Sequence, residues 1–119
     1  MPDRRAKLLQ DILDAGGAIR SFTTGRTLSD YGGDLMLSSA VERQFEIVGE
    51  ALRRLTAVDA VMASRISHHQ TIIAFRNIIA HGYDALDNTV VWGVIEDDLP
   101  SLVAETQALL DTVLASNGG

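Results

Sequence analysis

No cysteine occurs in the sequence, so neither a disulfide framework nor a thiolate zinc site is possible. Proline is confined to positions 2 and 100, which leaves the chain between them without its strongest helix breaker. No uninterrupted apolar run approaches the roughly 20 residues that span a bilayer. The opening Met1-Pro2-Asp3-Arg4-Arg5-Ala6-Lys7 carries no apolar signal-peptide core. A cytoplasmic protein without membrane contact is the expectation. A positive excess is missing too. The net charge of −6 argues against a non-specific nucleic-acid coat protein, whose surface carries a basic face. It leaves a nuclease open, because the charges are unevenly spread. Arg53, Arg54, Arg65, His68, His69, Arg76 and His81 cluster in the middle, whereas Asp84, Asp87, Glu96, Asp97, Asp98, Glu105 and Asp111 dominate the last third. A narrow basic cleft inside an acidic shell fits that distribution, since local potential counts for more than the sum.

The 119 residues suffice for one domain, 1–119, with one core. Apolar residues make up 46% and charged residues 22%, as in ordinary globular domains. Their spacing is helical. Leu8, Leu9, Ile12, Leu13 and Ile19 trace one stripe from about Asp3 to Ile19, weakened at its end by Gly16-Gly17. Residues 21–33 are the least regular stretch and read as a connector with one short turn. Asp34 is placed to cap a second helix, in which Leu37, Val41, Phe45, Val48, Leu52 and Leu55 recur every three or four residues. Gly49, a poor helix former inside that pattern, marks a point where another helix comes close. A short helix follows over Asp59–Ile66. Ser67 is placed to cap the next, carrying Ile72, Phe75 and Ile79, and Gly82 stands where a helix stops. Asp87 or Asn88 opens another, and Pro100 fits the first turn of a last helix in which Leu102, Val103, Thr106, Leu109, Leu110 and Val113 face inward. The predicted fold class is all-α: an antiparallel bundle of about four long helices plus short ones.

Chemistry concentrates in Arg76-Asn77-Ile78-Ile79-Ala80-His81-Gly82-Tyr83. At about 100° per residue, Asn77 and His81 stack on one helix face, and Arg76 and Tyr83 nearly eclipse each other. RNA cleavage without a metal needs a base for the ribose 2′-hydroxyl proton and a positive group for the phosphorane charge. A histidine titrating near neutrality suits the first task. An arginine, planar and permanently charged, suits the second. Asn77 can orient His81 or bond a phosphate oxygen, and Tyr83 offers a hydroxyl or a stacking ring. The same spacing fits a plainer arrangement, with His81 against the negative end of the helix dipole.

This octapeptide resembles the Arg-x4-His-x-Tyr signature of the HepT-like branch of the HEPN superfamily. The likeness extends to Val41-Glu42-Arg43-Gln44-Phe45-Glu46-Ile47-Val48-Gly49-Glu50-Ala51, to Val90-Val91-Trp92 and to Asp98-Leu99-Pro100-Ser101-Leu102, over roughly residues 3 to 115. The resemblance implies a homodimer of helical bundles with both motifs at one interfacial cleft. It implies a metal-independent endoribonuclease toxin that needs no cofactor, with Arg76 and His81 as catalytic residues and Asn77 in support. Its partner would be an MntA-type minimal nucleotidyltransferase antitoxin that transfers AMP units to the hydroxyl of Tyr83. The alternative is a catalytically silent HEPN module that docks the nucleotidyltransferase or a nucleotide. One departure stands before the motif, where His68-His69 replaces the Pro and Trp of many relatives.

Several other residues carry weaker signals. His68, His69 and His81 suggest a metal site, but adjacent helical histidines point about 100° apart. Glu46 and Glu50 could pair as acids, yet Glu50 also precedes Arg54 by four residues, and a structural role or a contact to Arg76 across the bundle fits better. Arg43 is a candidate to enter the cleft. Trp92 and Phe45 read as core rather than as nucleobase platforms.

Overall fold

The computed structural model describes residues 3–80 and 87–118. The described residues form helices joined by short links, without strand: α1 (Arg4–Thr23), α2 (Leu28–Gly33), α3 (Leu35–Val58), α4 (Ala60–Ser64), α5 (His69–Ala80), α6 (Asn88–Gly93) and α7 (Leu99–Gly118). Four of these are long, as the apolar periodicities predict. Helix α1 packs against both α3 and α7, and α3 packs against α5. Two polar ties fix the directions. The Asn117 amide near the end of α7 donates to Asp3 at the start of α1, at 2.9 Å. Arg5 in the first turn of α1 donates to Asp59, which closes α3, at 3.2 Å. Both neighbours therefore run antiparallel to α1.

The expected stripes form the core. Leu9, Ile12 and Ile19 of α1 meet Val41, Phe45, Val48, Leu52 and Leu55 of α3 with no exposed surface on any of them. The Phe45 and Phe75 rings meet edge to face at 5.2 Å, an electrostatically favoured aromatic geometry that joins α3 to α5. Trp92 is core as well, with its ring 5.7 Å from that of Tyr31.

Caps decide most helix starts. Asp34 accepts from the Leu37 N–H, Asp59 from Met62 and Asp87 from Thr89, so these carboxylates satisfy donors that a helix start leaves open. Ser67 is different: its N–H and hydroxyl both donate to Glu105 of α7, so it anchors the α4–α5 link instead of capping α5.

Three boundaries differ from the sequence reading. Helix α1 runs through Gly16-Gly17 to Thr23. Two glycines cost about 2 kcal/mol of helix propensity, whereas burying Leu9, Ile12 and Ile19 gains about 1.5–3 kcal/mol each. Gly16 also lets Val103 of α7 approach, since a Cβ there would lie 3.1 Å from its methyl. The stretch read as a connector contains α2, because Thr27 and Asp30 form a reciprocal capping box. Finally, Pro100 stands in the first turn of α7 as expected, but no break separates that helix from α6. Residues Val94–Asp98 form a π-helical turn that joins α6 to α7 without a break. The Leu99 N–H there donates five residues back to Val94. That wider turn relieves the clash a proline ring makes with the carbonyl four residues earlier in a regular helix.

The tightest packing is at Gly49, where a Cβ would fall 2.2 Å from the Cβ of Arg76 and 3.2 Å from the Ile72 carbonyl oxygen. Neither neighbour is the free end of a flexible chain. Gly49→Ala should therefore destabilise the fold by about 1–3 kcal/mol, as overpacking does. Gly17→Ala, with nothing within 4 Å of the new methyl, should stabilise it by about 0.5–1 kcal/mol. Urea unfolding of the two variants gives both values, and equal effects would refute the close approach.

Candidate active site

Arg76 sits on α5 one residue beyond the buried Phe75, half-exposed at the seam with α3. The missing side chain at Gly49 brings its stem against α3. The guanidinium then meets the next α3 residue: Arg76 Nη2 lies 3.2 Å from Glu50 Oε2. Its Nη1 donates to the Asn77 side-chain oxygen at 3.1 Å. Arg76 Nε is buried and has no hydrogen-bond partner among the described residues. Each terminal nitrogen carries a second N–H, and these two donors remain available to an anion.

Glu50 is the hub of a larger charge cluster. Arg53 donates to both its oxygens, at 2.6 and 3.2 Å, and Arg54 Nε donates at 3.0 Å. These arginines hold the Glu50 carboxyl down to about 2. The Arg53 hydrogen bonds contribute most and partial burial opposes them, while Arg54 and the nearby Arg76 charge add to the lowering. One carboxylate thus fixes three cations. Beside it lies a cavity of about 210 Å³ between α1 and α3, lined by Leu8, Asp11, Arg43, Glu46, Ile47, Glu50, Ala51, Arg54 and Arg76. Arg43 pairs loosely with Glu46, at 3.6 Å.

The expected contact from Glu50 to Arg76 is present, and Glu46 and Glu50 bind arginines rather than each other. Asn77 lies beside Arg76 and takes one of its donors. His81 and Tyr83 lie outside the described residues, as does the Gly82 helix stop, so the Asn77–His81 stacking does too. The two remaining histidines face different groups. His69 Nδ1 is 3.1 Å from the Ile66 carbonyl oxygen, whereas His68, at a left-handed φ of 64°, has Nε2 3.8 Å from Asp98. Sequence reasoning missed the place of Arg54 and Asp11 on the cavity rim. The signal for Arg54 was there: Arg43, Glu50 and Arg54 stand at i, i+7 and i+11, one face of a helix.

An all-α bundle that carries the arginine of an Arg-x4-His-x-Tyr motif on its third long helix is a HEPN-type domain. Residues 12–109 match the HepT-like ribonuclease family model, and the chain belongs to that family. A protein of Methanocaldococcus jannaschii, named as an inferred RNase, is 26% identical over 99 residues, covering 83% of this chain and 90% of its own length. A Thermococcus cleftensis protein named "probable ribonuclease HepT" is 29% identical over 101 residues, covering 85% and 91%. No solved structure matches the chain. Family and names together support a ribonuclease. No helix of the described residues is long and apolar enough to cross a membrane.

The Glu50 cluster has a defined pH signature. Its folded pKa of about 2 lies below the ordinary 4.5. The ionised form therefore stabilises the fold fully above about pH 4.5, and that contribution is lost as pH falls from there towards 2. Glu50→Gln should be less stable than wild type at pH 7, with the gap closing on the acid side. Urea titrations at pH 7, 5 and 3 measure it; a gap that stays constant with pH would remove the ion cluster from the stability account.

Proposed function

We propose that the protein is a metal-independent endoribonuclease in which Arg76 and His81 cleave RNA, with Asn77 in support. The observation that carries this reading is the state of Arg76: anchored at one edge by Glu50, steadied by Asn77, and left with unused donors beside an open cavity. Such a guanidinium is oriented in advance for a phosphate, so little ordering is required when the substrate arrives. His81 takes the proton of a ribose 2′-hydroxyl, and the resulting oxygen attacks the adjacent phosphorus. Arg76 stabilises the negative charge of the phosphorane. The P–O5′ bond then breaks, the 5′-oxygen takes up a proton, and the products are a 2′,3′-cyclic phosphate and a 5′-hydroxyl. The reaction assigns base and charge stabilisation to side chains and calls on no metal or cofactor.

The protein then acts as the toxin of a HepT/MntA-type pair, in the cytoplasm and as a homodimer with both motifs near a two-fold seam. Its antitoxin is a minimal nucleotidyltransferase that attaches AMP units to Tyr83. Each AMP brings a phosphodiester charge two helical turns from Arg76 in sequence, where it can pair with the guanidinium and repel an incoming RNA phosphate. The resemblance to HepT toxins and the Arg76–Tyr83 spacing support this.

Cleavage of a labelled RNA should persist in EDTA and leave cyclic phosphate ends. His81→Ala should reduce it by about 10²–10⁴-fold, the usual worth of general acid–base catalysis, without loss of helical content. Arg76→Lys should also fail, because lysine keeps the charge but loses the fork. Strict dependence on a divalent ion would overturn this chemistry. Intact mass after co-expression with the nucleotidyltransferase should show AMP increments that vanish in Tyr83→Phe. AMP on another residue, or none, would overturn the control mechanism alone.

A further inference from the structure

Glu50 and Arg54 each point within about 20° of Arg43 around α3, because seven and eleven residues are close to whole numbers of turns. Glu50 holds Arg76 over this same face. Three guanidiniums therefore follow one another along α3, in the order Arg43, Arg76, Arg54. The outer two are separated by roughly 16 Å along the helix axis. All three line one cavity, with Ile47 and Ala51 between them.

We propose that Arg43 and Arg54 are phosphate subsites for single-stranded RNA, flanking the phosphate held at Arg76. The proposal rests on the ribonuclease reading of Arg76 and extends it to the path of the strand. Both outer side chains are well exposed, 67% for Arg43 and 60% for Arg54, against 29% for Arg76. Arg43 is held only at 3.6 Å by Glu46. Arg54 engages Glu50 through Nε, which leaves its terminal nitrogens without an ion-pair partner among the described residues. Local charge favours an anion relative to the rest of the chain, because three arginines balance three acids around the cavity. This lies in a chain of net charge −6.

The length of the row selects the ligand. A single phosphate or mononucleotide reaches one end, whereas an extended polyanion reaches all three guanidiniums. No aromatic residue is among those lining the cavity. The subsites therefore grip backbone without stacking or reading bases, and they position the strand without specifying its sequence.

Fluorescence anisotropy with a labelled, 2′-O-methylated single-stranded RNA reads this directly, since that RNA has no 2′-hydroxyl to attack. Arg43→Ala and Arg54→Ala should each weaken binding several-fold, similarly for different base sequences. Each should also lower the slope of log K against log salt by about 0.7. Arg20→Ala, on the end of α1 away from the cavity, should bind as wild type. Arg43→Ala is the cleaner variant because it leaves the Glu50 cluster intact, and its melting temperature should be unchanged. Unchanged affinity and slope in Arg43→Ala and Arg54→Ala, or an equal loss in Arg20→Ala, would overturn the subsites. If wild type cuts unmodified RNA while these variants bind undiminished, the subsites fall and the cleavage reading stands. If wild type binds through both arginines yet cuts no RNA, the subsites stand and cleavage falls.

Discussion

The contact between Gly49 and the stem of Arg76 governs the rest of the site. Two helices meet there with a backbone where any other residue has a Cβ. Only at that separation does the Arg76 guanidinium reach Glu50, one residue further along α3. The core on either side makes the approach rigid: Phe45 and Phe75 lock edge to face, and Val48, Leu52 and Ile72 are buried beside them. Packing and electrostatics are thus coupled through one missing side chain. A helix-weakening residue is tolerated in mid-helix because it allows a charge to be held in a fixed place.

Glu50 resolves the electrostatic problem that this placement raises. An arginine half-buried against an apolar seam needs a counter-charge, yet a full complement of acids would cancel its attraction for phosphate. One carboxylate shared among Arg53, Arg54 and Arg76 satisfies the first need without meeting the second. The cluster stays cationic although the chain as a whole is acidic. Elsewhere acids serve helix starts and bundle ends, as Asp3 does: its carboxyl lies well below the usual range because Arg5, Asn117 and the backbone of α1 all donate to it. Acidity thus keeps the remaining surface unattractive to polyanions and narrows binding to one region.

Helix continuity was the part of the fold least legible along the chain. Gly16-Gly17 looks like a boundary when judged by local propensity and is not one, and Pro100 stands in the first turn of α7 with no break before it. Buried aliphatic surface outweighs the glycine cost in α1, and a π-helical turn absorbs the proline before α7. Thr27-Leu28-Ser29-Asp30 carried its capping box openly, but a six-residue helix has too little periodicity to announce itself. Ser67 was misread for a related reason. A serine before an apolar run is a plausible cap, and only the arrival of Glu105 from α7 makes it a tether instead.

The sequence by itself determined the helical class, the four long stripes, the caps at Asp34 and Asp87, and the motif that marks the family. These are properties of neighbours within a turn or two, set by periodicity and by hydrogen bonds between near residues. It also pointed to Gly49 as a crossing and offered a contact to Arg76 as one of two readings of the acid at Glu50. The tertiary structure decided what that partnership becomes. Arg43, Glu50 and Arg54 share a face by spacing alone, but only the crossing of α5 at Gly49 sets a third guanidinium between them, and only α1 walls the cavity with Leu8 and Asp11. Charges brought together from three helices have no signature in local spacing. Their energy depends on distances that exist only once the core has closed.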